Sequence, residues 1–205
     1  MMLSCHNLHC TRGEKPLFQQ LGFCLQEGSI LIVKGQNGAG KTTLIKMLAG
    51  LIPIEQGQGQ IEWNGQPITD NADYKSELMY IGHKSAVKLD STVEENIAFW
   101  AKLHDTEILI PAALTFFDLL QFKDVPASRL SAGWQRRVAL ARLIVAPCKI
   151  WLLDEPTNFL DDDAVLLIAS LIESRVQQGG IVVVASHIMN SAIPAHTLYI
   201  GDFGA

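Results

Sequence analysis

The sequence predicts an α/β fold with a parallel sheet at its centre, and three observations carry that prediction. The first is a β-prone apolar run, Ile30-Leu31-Ile32-Val33. A glycine-rich loop follows it at once, and then a helical run at residues 43–49 that Gly50 ends. The second is the return of the same alternation near the C-terminus. There Ile150-Trp151-Leu152-Leu153 is apolar on both faces, residues 162–177 read as a helix, and Ile181-Val182-Val183-Val184-Ala185 is the most β-prone run in the chain. The third is the acidic pair Asp154-Glu155 at the end of a buried strand, the edge of an open α/β sheet at which ligands bind.

The N-terminal arm reads as a small antiparallel β part. Residues 3–8 and 21–26 are its expected strands, with Arg12-Gly13-Glu14-Lys15-Pro16 as the turn. Gln60-Ile61-Glu62-Trp63 is a short strand closing on Asn64-Gly65, and Leu78-Met79-Tyr80-Ile81 is another. From His83 the texture turns helical. Ser91-Thr92 followed by Glu94-Glu95 has the form of a capped helix start. A second helix is expected over residues 111–120, and a third from Ser131 until Pro147 stops it. The expected organisation is one domain, with a core of residues 1–82 and 147–205 and a helical insert at 83–146.

At 205 residues, 48% hydrophobic and 18% charged, the chain is long enough to bury a core. Its formal net charge of −5 argues against nucleic acid as a partner. Four cysteines, with no C-x-x-C pair, suggest reduced thiols and no zinc site. The N-terminus has no basic segment followed by an apolar one, so no secretion signal is expected. No apolar run reaches the ~18 residues of a membrane span.

Gly35-Gln36-Asn37-Gly38-Ala39-Gly40-Lys41-Thr42 matches G-x-x-x-x-G-K-[ST] at every fixed position. In such a loop consecutive backbone N–H groups converge on phosphate oxygens, and the following helix adds the positive end of its dipole. Lys41 supplies a cation for the terminal phosphates, and Thr42, with Thr43 beside it, opens the helix; the Thr42 hydroxyl is suited to Mg²⁺. Asp154 is placed to hold the same ion. Glu155 is placed to polarise the water that attacks the γ-phosphate. These residues make ATP and Mg²⁺ the expected ligands.

A third stretch, Leu130-Ser131-Ala132-Gly133-Trp134-Gln135-Arg136-Arg137, combines a helix cap with a glycine that lets a phosphate approach the backbone. Together the three stretches resemble the ATP-binding domain of the ABC transporter family, over nearly the whole chain. The family's L-S-G-G-Q signature stands here as Leu130-Ser131-Ala132-Gly133-Trp134, with two departures, Ala132 and Trp134. The resemblance implies a P-loop NTPase fold with a RecA-like core and an ATP-dependent homodimer. In that dimer the signature residues Ser131, Ala132, Gly133 and Trp134 serve the partner's ATP. It makes Asn158-Phe159-Leu160-Asp161 the D-loop, with Asp161 reaching the dimer interface, and His187 the switch histidine at the γ-phosphate.

Two positions depart from the family pattern. His83 falls where a glutamine usually helps hold Mg²⁺ and water; it reads either as a partial substitute or as a plain hinge residue. Arg12 falls where an aromatic usually stacks on adenine; it reads either as a guanidinium stacking on the base or as an exposed turn arginine. Within the family the resemblance extends to the ATPases of cytochrome c biogenesis, carried by the short length, Tyr80-Ile81-Gly82-His83 and Gln135-Arg136-Arg137-Val138-Ala139-Leu140-Ala141-Arg142. It implies a peripheral protein on the cytoplasmic face of the bacterial inner membrane. Its partners would be integral membrane subunits and, indirectly, a periplasmic haem chaperone. An importer or exporter ATPase with another membrane partner is the alternative, and a soluble ABC protein of translation or DNA repair is the third reading.

Overall fold

The computed structural model describes residues 1–13, 15–55, 57–186 and 194–204. Strands β1 (Met2–Arg12) and β2 (Lys15–Gln26) pair antiparallel. They run further than their apolar alternation predicts, because register shifts between Cys5 and Thr11 break the period of two without ending the pairing. Strand β3 (Ile30–Lys34) leads through the glycine loop into α1 (Lys41–Leu48). Strands β4 (Gln60–Trp63) and β5 (Gln66–Pro67) form a hairpin whose turn, Asn64-Gly65, has φ of 52° and 77°, as a tight primed turn requires.

After α2 (Ala72–Ser76) and β6 (Leu78–Ile81), three helices follow: α3 (Val93–Leu103), α4 (Ile110–Phe116) and α5 (Ala132–Val145). The α4 helix stops at Phe116, short of the expected 120, and a separate 3₁₀ turn occupies Leu120–Phe122. The chain then alternates through β7 (Ile150–Asp154), α6 (Asp162–Gln177), β8 (Ile181–Ala185) and β9 (His196–Tyr199).

Two sheets result. One is antiparallel, in the order β2-β1-β4-β5; the other has five parallel strands, in the order β6-β7-β8-β3-β9. Alternation along the parallel strands divides the core into two layers. Ile30, Ile32, Trp151, Leu153, Val182 and Val184 face a core shared with α3, α4, α5 and α6. Leu31, Val33, Ile150, Leu152, Ile181 and Val183 face a second core shared with α1 and the antiparallel sheet. Central strands buried on both faces explain why those runs read as continuously apolar. Among the described residues no helix is long and apolar enough to cross a membrane.

Helix starts are chemically specified. Thr92 and Glu95 form a capping box at α3: Glu95 N–H donates to Thr92 Oγ1 at 3.2 Å, and Thr92 N–H donates to Glu95 Oε2 at 2.8 Å. Ser131 caps α5, and Asp161 caps α6 by accepting from Ala164 N–H at 2.9 Å.

Candidate nucleotide site

The glycine loop, α1 and the ends of β6 and β7 converge on a cavity of about 520 Å³. Arg12, Lys41, Thr42, His83, Glu155 and Asn158 line it, with Asn37, Gly38, Gly40 and Thr43 from the loop and helix start. Five of the residues expected to act together but distant in sequence (Arg12, Lys41, Thr42, His83 and Glu155) therefore share one wall-to-wall space. Gly35, Gln36 and Ala39 complete the loop without lining the cavity with side chains; Ala39 N–H donates to Gln36 O at 3.2 Å, which tightens the turn.

Gly40 is the point where the loop becomes a helix. Its φ is 108°, and a Cβ built there would meet Leu17 and Phe18 at 3.3 Å. No side chain caps the end of α1, so its first backbone N–H groups face the cavity mouth. Lys41 is buried, and its ammonium donates to Gly35 O at 2.9 Å and Gln36 O at 3.3 Å, which lays the cation across the loop.

The acidic strand end meets the helix start directly. Thr42 Oγ1 donates to Asp154 Oδ1 at 3.1 Å, although 112 residues separate them. Asp154 is 1% exposed, and its Oδ2 has no hydrogen-bond partner among the described residues. A buried carboxylate oxygen without a donor is costly unless a cation approaches it. Beside an exposed threonine hydroxyl, it is the donor set of a hard divalent ion, so the residues fit Mg²⁺. His83 lies in the same cavity and is exposed, but no hydrogen bond joins it to Thr42 or Asp154 among the described residues. Glu155, next along, has φ of 48°, a left-handed backbone that a non-glycine residue adopts at a cost of roughly 1–2 kcal/mol. Its N–H donates to Ala185 O at 2.8 Å.

The signature residues form a second, separate surface. Ser131, Gly133, Trp134 and Arg137 line a cleft of about 260 Å³ together with Phe159, Leu160 and Asp161. Ser131 and Ala132 are exposed, as a partner's ligand would require. Two expectations gain a different physical basis here. Gly133 admits a close approach already within the single chain, where a Cβ on it would lie 2.6 Å from the Phe159 carbonyl. Trp134 packs edge-on against Phe122 at 4.7 Å, with the Arg137 guanidinium 4.7 Å over its ring, so its indole contributes to the helical layer.

Asp161 is likewise engaged within the chain. Both its oxygens accept from Arg137 Nη2 at 2.9 Å, and Oδ1 also accepts from Ala164 N–H. The Ala164 N–H bond, followed by Arg137, holds its carboxyl below the ordinary carboxylate range. The position of His187 lies outside the described residues. The Trp100 to Leu103 stretch divides: Leu103 is 65% exposed, whereas Trp100 is partly buried under the Arg142 guanidinium at 5.1 Å. Burial pushes that guanidinium's pKa down to about 10.

Arg136 follows the signature in sequence, but its role shows only in the fold. Its side chain is 1% exposed and ties together segments that are far apart in the chain. Asn158, which begins the D-loop, also lines the nucleotide cavity.

The ABC transporter family model matches residues 18–158. Two similar proteins are each described as cytochrome c biogenesis ATP-binding export protein CcmA. The one from Wolbachia pipientis wMel is 43% identical over 187 residues, covering 91% of this chain and 89% of its own length. The one from Paramagnetospirillum magneticum is 37% identical over 206 residues, covering 98% and 94%. Among solved structures, a putative ABC transporter ATP-binding protein from Pyrococcus furiosus superposes with a TM-score of 0.84 at 25% identity, over 100% of both chains.

Proposed function

The chain belongs to the ABC transporter family of ATP-binding proteins and is an ATPase, and on that premise we propose that it drives a bacterial inner-membrane complex for cytochrome c biogenesis. The observation that carries the proposal is the relatives' shared description at 37–43% identity over nine-tenths or more of the chain. In this reading the protein sits peripherally on the cytoplasmic face of the membrane, bound to integral subunits. Its hydrolysis serves haem handling and release of the haem-loaded periplasmic chaperone.

The lining of the cavity supports the following roles for its residues. The loop N–H groups and Lys41 bind the phosphates of ATP, and Arg12 lies against its base. Thr42 and Asp154 would hold Mg²⁺, which would supply charge neutralisation at the phosphates. Glu155 orients the attacking water and accepts its proton. His187 is assigned the γ-phosphate contact, and His83 the place of the glutamine that helps hold Mg²⁺ and water. Two copies close head to tail, so that Ser131 and Gly133 of each meet the ATP of the other, with Asp161 at the seam. The stretch from His83 to about Leu103, on which Phe99 and Leu103 are 47% and 65% exposed, is assigned to docking the membrane subunits' cytoplasmic loops.

Complementation tests this reading. In a deletion strain, covalent haem on c-type cytochromes is expected to vanish, to return with the wild-type gene, and to stay absent with Lys41→Ala. His83→Ala is expected to lose more in cells than in ATPase activity of the purified protein. Normal c-type cytochromes in the deletion strain would refute the biological role and leave the ATPase untouched.

A further inference from the structure

Arg136, on the second turn of α5, is buried to 1% exposure, and its guanidinium makes four hydrogen bonds among the described residues, all to backbone carbonyls. Nε donates to Pro156 O at 3.1 Å, Nη1 to Gly82 O at 2.7 Å, and Nη2 to Asp154 O at 3.1 Å and Glu155 O at 2.8 Å. Three consecutive carbonyls, from the last residue of β7 onward, and one after β6 therefore converge on a single planar group. Gly82 is the residue before His83; Glu155 lines the cavity, and Asp154 is bonded to Thr42 at its edge.

We propose that Arg136 is a positioning residue of the hydrolytic site: it fixes the left-handed Glu155 turn and the distance from that turn to the arm carrying His83. The argument is one of constraint. A residue at φ 48° relaxes unless its surroundings hold it. Glu155 is held at both backbone groups, its N–H by Ala185 O and its C=O by Arg136. With both fixed, its Cα–Cβ bond points one way, at the wall of the cavity that Glu155 lines. Releasing the C=O frees the turn while the strand behind it stays paired.

The same guanidinium joins Gly82 to the acid turn, so His83 and Glu155 move as one piece. Arg136 also sits on the helix that Ser131 caps. A displacement of that helix on meeting a second copy is therefore transmitted to the acid turn through one side chain. Lysine cannot replace it, because three tetrahedral donors on one nitrogen do not span four carbonyls arranged around a planar fork.

The proposal rests on the ATPase reading of this cavity, and the test separates the two. Arg136→Lys, Glu155→Gln and the double variant are compared in steady-state and single-turnover ATP hydrolysis, with binding of a fluorescent ATP analogue and thermal unfolding alongside. Arg136→Lys is expected to lower kcat about 10- to 100-fold, the cost of misplacing a reacting group by roughly 1 Å, while KM and analogue affinity stay unchanged. In the Glu155→Gln background the same change is expected to add nothing, because the group it positions is already gone.

Equal losses in kcat and analogue affinity, or a full further loss in the double variant, would overturn the proposal in favour of general support of the fold. So would failure of both Arg136→Lys and Arg136→Gln to fold. Wild-type kcat in Arg136→Lys with an inactive Glu155→Gln would overturn the role of Arg136 alone. Wild-type hydrolysis in Glu155→Gln would overturn the reading of the cavity on which it rests.

Discussion

Replacing Gly133 with alanine adds one methyl group where the D-loop backbone passes closest to the signature helix. The added Cβ would lie 2.6 Å from the Phe159 carbonyl oxygen. Comfortable C···O contact begins at about 3.3 Å, so the carbonyl must retreat by about 0.7 Å. Phe159 has little freedom to accommodate this, since its own φ is 68° and Asp161, two residues on, is tied to Arg137 and Ala164. Overpacking of this size costs about 1–3 kcal/mol. For a chain of this length that corresponds to a fall in Tm of about 2–12 °C.

The nucleotide cavity does not include Gly133, so binding of ATP to the single chain is expected to be unchanged. Hydrolysis is expected to fall by roughly tenfold, because the cleft formed by Ser131 and Asp161 is reshaped. Differential scanning fluorimetry, nucleotide titration and an ATPase assay on the same preparation measure all three. An alanine variant with wild-type Tm and wild-type turnover would refute the close packing of helix and D-loop. Loss of nucleotide affinity in the single chain would refute the separation of the two surfaces. The larger Gly133→Asp change meets the same carbonyl before it meets any partner's phosphate.

Lys41→Ala removes a charge-assisted donor to the phosphates and is expected to weaken ATP binding about 10- to 100-fold, with the Tm of the nucleotide-free protein little changed; titration calorimetry and fluorimetry read the two. Arg12→Ala is expected to weaken ATP affinity about two- to fivefold, as loss of an exposed guanidinium over an aromatic base would, without altering kcat. Asp161→Asn keeps the helix cap and removes the charge that Arg137 holds. Folding depresses the Asp161 pKa, so its charge adds stability at neutral pH that is lost as pH falls through the folded value. The Tm of the wild-type chain is therefore expected to fall more steeply than that of Asp161→Asn on acidification below about pH 4.

What the sequence discloses depends on how far apart the interacting groups lie. The glycine loop, the capping box at Thr92 and Glu95, and the Asn64-Gly65 turn are contiguous, so each can be read from neighbouring letters. Asp154 is legible because a buried strand ends on it. Arg136 is not, since every partner it has is a backbone carbonyl 18 to 54 residues away, and backbone leaves no mark in the sequence. Gly133 illustrates an ambiguous signal: a glycine announces close approach without naming what arrives, and within the single chain it is the Phe159 carbonyl. Strand β9 carries only one buried side chain, Leu198, and an edge strand of that kind has no alternation to detect. The bulges of β1 hide its length for a related reason, since they reset the period each time it begins to show.

Single-turnover hydrolysis by Glu155→Gln, with sedimentation in Mg·ATP alongside, tests the central assignment most directly. The variant keeps the shape and the backbone bonds to Ala185 and Arg136 and loses only the carboxylate charge. The predicted result is ATP bound at wild-type affinity, hydrolysis slowed about 100-fold or more, and a dimer that persists as long as ATP does. Hydrolysis at the wild-type rate would contradict it.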